Sequence, residues 1–165
     1  MGGNVLRMLL LCGVVAGGAM AAIAAEGDKK VEDGKYFDKN GTPTYNVQAD
    51  GTVDWYTYSG FRRYHAECHV CHGPDGLGST YAPALTESLK TMTYEQFGEV
   101  VANGRQNGNS VMPAFGTNRN AMCYLDDLYV YLKARSDGAI ERNRPPKREN
   151  QPAAAKEFES SCMGQ

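Results

Sequence analysis

Residues 68–72 read CHVCH, two cysteines and two histidines within five positions. No other stretch restricts the fold as much, because side chains crowded this closely serve a ligand that takes them together. Three ligands come into question: a zinc ion, a redox disulfide or a porphyrin. A structural zinc site draws on two ligand pairs, each with its own short spacing. Here only one CxxC is present, and neither Cys123 nor Cys162 has a close cysteine neighbour. A thioredoxin-type CxxC opens a helix after a strand. Cys68 instead follows a helical pattern, and His72 follows Cys71 directly. Cys-x-x-Cys-His is the attachment signature of c-type haem. Its two thiols add to the two vinyl groups on one porphyrin edge, and the histidine beneath the ring turns its imidazole to the iron. One motif predicts one covalent haem c, attached through Cys68 and Cys71 with His72 as an axial ligand.

The start of the chain agrees with that chemistry. A single cation, Arg7, precedes an apolar run from Met8 to about Ile23, then small residues, and the first charges follow from Glu26. This is the pattern of a secretory signal peptide over residues 1–25, cleaved after Ala24 or Ala25. The run is barely long enough for a membrane anchor and is diluted by glycine and alanine. Cys12 falls within the removed segment, since LLLC lacks the small residues of a lipoprotein site. The mature chain is expected in a bacterial periplasm, with no membrane span after cleavage. Removing Arg7 leaves a formal net charge of about −3, which gives no support to nucleic-acid binding.

The sixth iron ligand decides between carrier and catalyst. A thioether opposite histidine raises the potential and closes the iron to substrates. Residues 109–116 read NSVMPAFG, placing Met112 in a loop just before Pro113. That is enough chain after His72 to pass round a haem edge. Met92 precedes a helix start, and Met122 falls on a helix face, where methionine is more often packing. His65 and His69 read as surface residues.

The helical pattern frames these ligands. DWYTYSGFRRYHAEC is read as a helix with Asp54 as its N-cap. Gly60 and Tyr64 share one face, and a glycine there permits another helix to cross closely. TYEQFGEVVANG carries a capping box, Thr93 with Gln96, and a stop at Gly104. NAMCYLDDLYVYLKARSDG is read as one helix with Met122, Leu125, Leu128, Tyr129 and Leu132 along a broad face. The expected fold class is all-α: a haem domain over 54–138, between an irregular N-terminal extension at 26–53 and a polar tail at 139–165.

The order helix, CxxCH, helix, Met-Pro loop, helix resembles a class I cytochrome c over residues 54–138, most specifically at GFRRYHAECHVCHG, YAPAL, VMPAF and LYVYL. The resemblance implies that Gly60, Tyr64 and Tyr131 meet where the first and last helices cross. It also implies that the Pro83 carbonyl accepts the hydrogen bond of the proximal imidazole, which makes the ligand a stronger donor. The runs NGTPTYNV and DGTVDWYTYSG resemble more narrowly the methanol-metabolism-related, cytochrome cL-like c-type cytochromes. That implies a donor, a PQQ-dependent methanol or alcohol dehydrogenase, and an onward acceptor such as an oxidase or another cytochrome.

Outside the haem domain, KNGT is read as a tight turn, and the extension as a surface segment packed on the domain. Trp55 is read as a packing residue. Arg142, Arg144, Lys147 and Arg148 surround a Pro-Pro break, a run that could steer an anionic partner but more often is a solvated tail. In an oxidising compartment Cys123 and Cys162 are expected to pair, within the chain or between chains. The expected function is electron carriage without bond chemistry. The alternatives are a general periplasmic carrier with no dehydrogenase partner, or an open-site haem enzyme or gas-binding protein.

Overall fold

The computed structural model describes residues 29–164, so the leader read at 1–25 and the first three residues of the extension lie outside the described residues. Helix α1 (Trp55–Glu67) begins where expected. The Asp54 carboxylate accepts from the Thr57 backbone at 2.9 Å and its hydroxyl at 2.6 Å, and from the Asn46 backbone at 2.7 Å. One buried carboxylate thus caps the helix and ties the preceding extension to it.

The site motif itself forms α2 (His69–His72), followed by a 3-10 turn at Pro74–Gly76 and the short α3 (Leu85–Ser88). Helix α4 (Tyr94–Asn103) opens with the predicted capping box: the Thr93 hydroxyl accepts from Gln96 N at 3.2 Å, and the Gln96 side chain accepts from Thr93 N at 3.0 Å. Its buried stripe is Phe97 and Val101. A two-stranded hairpin follows, β4 (Arg105–Asn107) and β5 (Ser110–Met112) in chain order after the N-terminal β1 (Lys30–Glu32), β2 (Lys35–Phe37) and β3 (Pro43–Thr44). Met112 therefore ends a strand rather than sitting in an open loop.

The segment read as one helix over 120–138 is two: α5 (Arg119–Met122) and α6 (Leu125–Ser136). The break falls at Cys123–Tyr124, both of which are turned to the C-terminal helix α7 (Ala153–Met163). Cys123 is bonded to Cys162. The Tyr124 hydroxyl donates to Glu159 at 2.6 Å, while Arg63 lies 3.6 Å over the Tyr124 ring and pairs with the same carboxylate at 3.0 Å. These contacts outweigh helix continuation, and Tyr124 leaves helical geometry at φ −124°, ψ 26°.

Helix α6 crosses α1 at Gly60, where a Cβ would overlap the Asp127 carbonyl and come within 2.7 Å of Tyr131 Cβ. Tyr64 and Tyr131 are both fully buried, with ring centroids 5.6 Å apart. The crossing carries a buried carboxyl, Asp127, which loss of hydration pushes up to about 7.

The extension forms the antiparallel sheet β1-β2-β3. Its β2–β3 turn is held by Asp38, which accepts from Asn40 N at 2.8 Å and Thr42 N at 2.9 Å, as an Asx-type turn does. Lys35 ties the sheet to α6 through Asp126 at 2.5 Å, and the Tyr45 hydroxyl donates to Asp137 at 3.0 Å.

The run around Pro145–Pro146 is solvent-exposed, as read, but it is held to the fold rather than free. Arg144 donates to the Tyr58 hydroxyl, Arg148 lies 4.9 Å over both the Trp55 and Tyr58 rings, and Lys147 pairs with Asp50 at 3.0 Å. Val53 joins the backbone of this strap at both sides, donating to Lys147 O and accepting from Glu149 N. The aromatic faces of α1 receive the guanidinium groups, while Arg142, Arg144, Lys147 and Arg148 all remain exposed on the outer side of the run. Among the described residues, no helix is long and apolar enough to cross a membrane.

Candidate haem-binding site

Cys68 closes α1, donating its backbone N–H to Tyr64 O at 2.9 Å, and the chain turns at once into α2. The turn leaves Cys68 half-buried and Cys71 exposed, both as free thiols. Burial pushes the Cys68 thiol up to about 12.

His72 ends α2 with its side chain 6 % exposed. Its Nδ1 lies 2.9 Å from Pro83 O. A carbonyl accepts only, so Nδ1 carries the proton and Nε2 is the nitrogen left with a free lone pair. That is the tautomer a metal-bound histidine uses.

The loop after His72 is held from several sides. Gly73 has φ 72°, and a Cβ there would overlap the Gly78 carbonyl. The Tyr64 hydroxyl donates to Gly73 O at 2.5 Å, and Gly78 N donates to His72 O at 2.8 Å. Ser79 donates its hydroxyl to Cys71 O.

Met112 is partly buried against the hydrophobic core, as are Leu85, Met92 and Phe115. The chain beyond it is pinned to α4: Phe115 N donates to Val101 O and Gly116 N to Ala102 O, both at 2.9 Å. Of the rivals, Met122 lies elsewhere, whereas Met92 shares the hairpin's neighbourhood, since Arg105 is the strand partner of Met112. Met122 borders a cleft with Trp55, Tyr56, Cys123 and Phe158, and Met92 lines a groove with Ser88, Gln96 and Arg105.

His65 and His69 are not surface residues. Both are half-buried and stack with centroids 5.6 Å apart, and His65 also packs 4.3 Å from Phe61. His65 lies on the aromatic face of α1, and His69, at the start of α2, stacks on it. His65 Nδ1 faces Phe61 O at 2.9 Å. Trp55 is a core residue under the strap, as read.

Asp75 was not read from the sequence as a site residue. It is 2 % exposed and holds a left-handed conformation, φ 60°, three residues after His72. The signal was the PDG turn directly after CxxCH.

Among the described residues, no group of three or more His, Cys, Asp or Glu side chains is arranged to hold a bare metal ion. The donor set suits instead a group that needs two thiols with two residues between them and one imidazole with Nε2 free. The fold, the attachment motif and the Pro83 carbonyl that holds the His72 imidazole together define a c-type cytochrome, and the chain belongs to that family, with the class I fold. Members of the family carry haem c covalently bound, and these residues fit it.

Residues 57–132 match the family model described as cytochrome c oxidase, cbb3-type, subunit III. The chain is 63 % identical to the c-type cytochrome XoxG from Methylobacterium extorquens AM1, whose crystal structure superposes with a TM-score of 0.78 over 81 % of this chain and 84 % of that one. It is 53 % identical over 137 residues to cytochrome c-553I of Paracoccus denitrificans, covering 81 % of this chain but only 61 % of that relative's length. It is 45 % identical over 89 residues to cytochrome c-555 of Methylococcus capsulatus, 53 % of this chain and 69 % of the relative.

Proposed function

We propose that this chain is a periplasmic one-electron carrier with a single haem c. Cys68 and Cys71 hold the group as thioethers, His72 and Met112 supply the axial donors, and the Pro83 carbonyl orients the imidazole. Bound there, haem c supplies a reversible one-electron couple. The observation that carries the reading is His72: buried, with Nδ1 committed to Pro83 O at 2.9 Å, directly after two free thiols.

The residues would work in the following way. The Nδ1–H···O bond fixes ring orientation and raises the basicity of Nε2. Met112 supplies a soft, neutral sulfur that favours the reduced state and leaves no place for a substrate. Val70, 73 % exposed, and Tyr81, 75 % exposed, flank the exposed Cys71. They give the attachment edge an apolar rim, suited to the small, short-lived interface of a redox encounter.

The donor is a PQQ-dependent methanol or alcohol dehydrogenase, which releases two electrons per alcohol and passes them one at a time. The acceptor is a downstream oxidase or another cytochrome. The partner reading is supported by the likeness to the three cytochromes named above and by the sequence runs around residues 41–60. The test is stopped-flow reduction of the ferric protein by a PQQ methanol dehydrogenase of the same organism with methanol present. Fast, saturable reduction is expected. A rate no greater than that of an unrelated cytochrome c would remove the dehydrogenase partner and leave a general carrier.

A further inference from the structure

The strap at residues 140–149 reaches the attachment loop at one residue. Asp75 Oδ1 accepts from Asn143 N at 2.9 Å, and Oδ2 accepts from Arg142 Nε at 3.3 Å. The Asp75 backbone carbonyl accepts from Arg135 Nε at 3.4 Å, and Arg135 also donates to Ile140 O at 2.6 Å. Asp75 is 2 % exposed, whereas the Arg142 side chain is 60 % exposed. The part-buried bond to Asn143 N is the stronger link, since an ion pair with one partner in solvent contributes little.

From Asp75 the connection to His72 is short. Gly76 lies against Leu132 and Leu85, and Thr86 donates to Gly76 O at 3.4 Å. Two residues further, Gly78 N donates to His72 O at 2.8 Å. The opposite end of the strap is fixed independently, by Arg144, Lys147 and Arg148 on Tyr58, Asp50 and Trp55. A carboxylate buried in a left-handed turn, spanning two separately anchored segments, does not help the loop alone.

We propose that Asp75 is a positioning residue: its carboxylate latches the C-terminal strap to the 73–78 loop and so holds the His72 imidazole in its orientation. The strap is thereby part of the haem site rather than an appendage. The inference rests on reading His72 as the axial ligand.

The test compares Asp75→Gly with Asp75→Asn in the haem-loaded full chain. Glycine and asparagine both accept a positive φ, so neither change adds much backbone strain. Only asparagine keeps an acceptor for Asn143 N–H. The readout is the proton NMR spectrum of the ferric protein, where the pattern of shifted haem methyl resonances follows the orientation of the axial ligands. Asp75→Gly is expected to change that pattern and to raise the exchange rate of the Gly78 amide about tenfold, the loss of roughly one hydrogen bond. Asp75→Asn is expected to keep both as in the wild type. An unchanged methyl pattern in Asp75→Gly overturns the proposal, and so does an equal change in both variants.

A second measurement needs no variant. In the wild type the Asn143 and Gly78 amides are expected to exchange with the same opening free energy. Asn143 exchanging far faster than Gly78 would show the strap lifting without the loop, and would also overturn the latch. Failure of the ligand reading looks different: the wild type itself would lack shifted ring protons from His72.

Discussion

The two sides of the site are built differently. The His72 side is gripped by α1 through Tyr64, by α6 through Leu132 and Arg135, by α3 through Thr86 and by the strap through Arg142 and Asn143. The hairpin that delivers Met112 is exposed from Arg105 to Val111, and at its tip Gly108 has nothing within 4 Å of where a Cβ would stand. The proposed imidazole donor is set by the core, the proposed thioether donor by a short ladder and the chain beyond it. The contrast teaches that changes on the His72 side act on folding, while changes at the hairpin tip stay local.

The same substitution at both places tests that most sharply. Gly73→Ala pushes a Cβ into the Gly78 carbonyl at a positive φ, so it should cost more than about 4 kcal/mol and abolish accumulation of haem-loaded protein. Yield and thermal unfolding decide it; a protein melting within a few degrees of the wild type would break the comparison.

Next in size is the disulfide. Cys123 and Cys162 are 39 residues apart, and opening a loop of that length should lower stability by about 3–4 kcal/mol on the chain-entropy account. Cys123→Ser combined with Cys162→Ser should show this in denaturant titration, with the haem spectrum unchanged because the bond joins the end of α5 to α7 and leaves the attachment loop alone.

Asp127 gives a smaller, pH-dependent effect. Burial raises its carboxyl from 3.8 to about 7, so between those values the folded chain binds a proton the unfolded chain has released. Stability therefore falls as pH rises through that window, by about 2–3 kcal/mol from pH 5 to pH 7. Asp127→Asn should flatten the slope. Ser59, Lys35, Asp126 and Asp54 are the groups around it, and an unchanged slope would place the titration on Asp54, whose carboxyl burial also raises.

The smallest effect is Gly108→Ala. The residue has φ 57° but open space around it, so only the backbone cost of about 1 kcal/mol is expected, seen as a slight drop in melting temperature.

The legible parts of this molecule were those that depend on near neighbours in sequence. The Asp54 cap, the Thr93–Gln96 box and the CxxCH motif all act within five residues, and each is found where the chain order places it. Gly60 was legible because only a missing Cβ lets α6 pass so close. What could not be read depends on partners far away. Arg144 and Arg148 look like a solvated charge run until Tyr58 and Trp55 are brought beneath them. The break at Cys123–Tyr124 follows from α7, formed some 30 residues later. Asp75 could not be read as a site residue because its partner Asn143 is 68 positions away.

The pairing of Cys123 with Cys162 also sets a timetable. Among the described residues four thiols, Cys68, Cys71, Cys123 and Cys162, allow three pairings. In an oxidising compartment a bond from Cys123 to either of the first two would consume a thiol proposed for haem attachment. Cys123 must therefore find Cys162, 39 residues on, before it meets them. Maturation is thus a contest between oxidation and attachment, decided by which reaches Cys68 and Cys71 first.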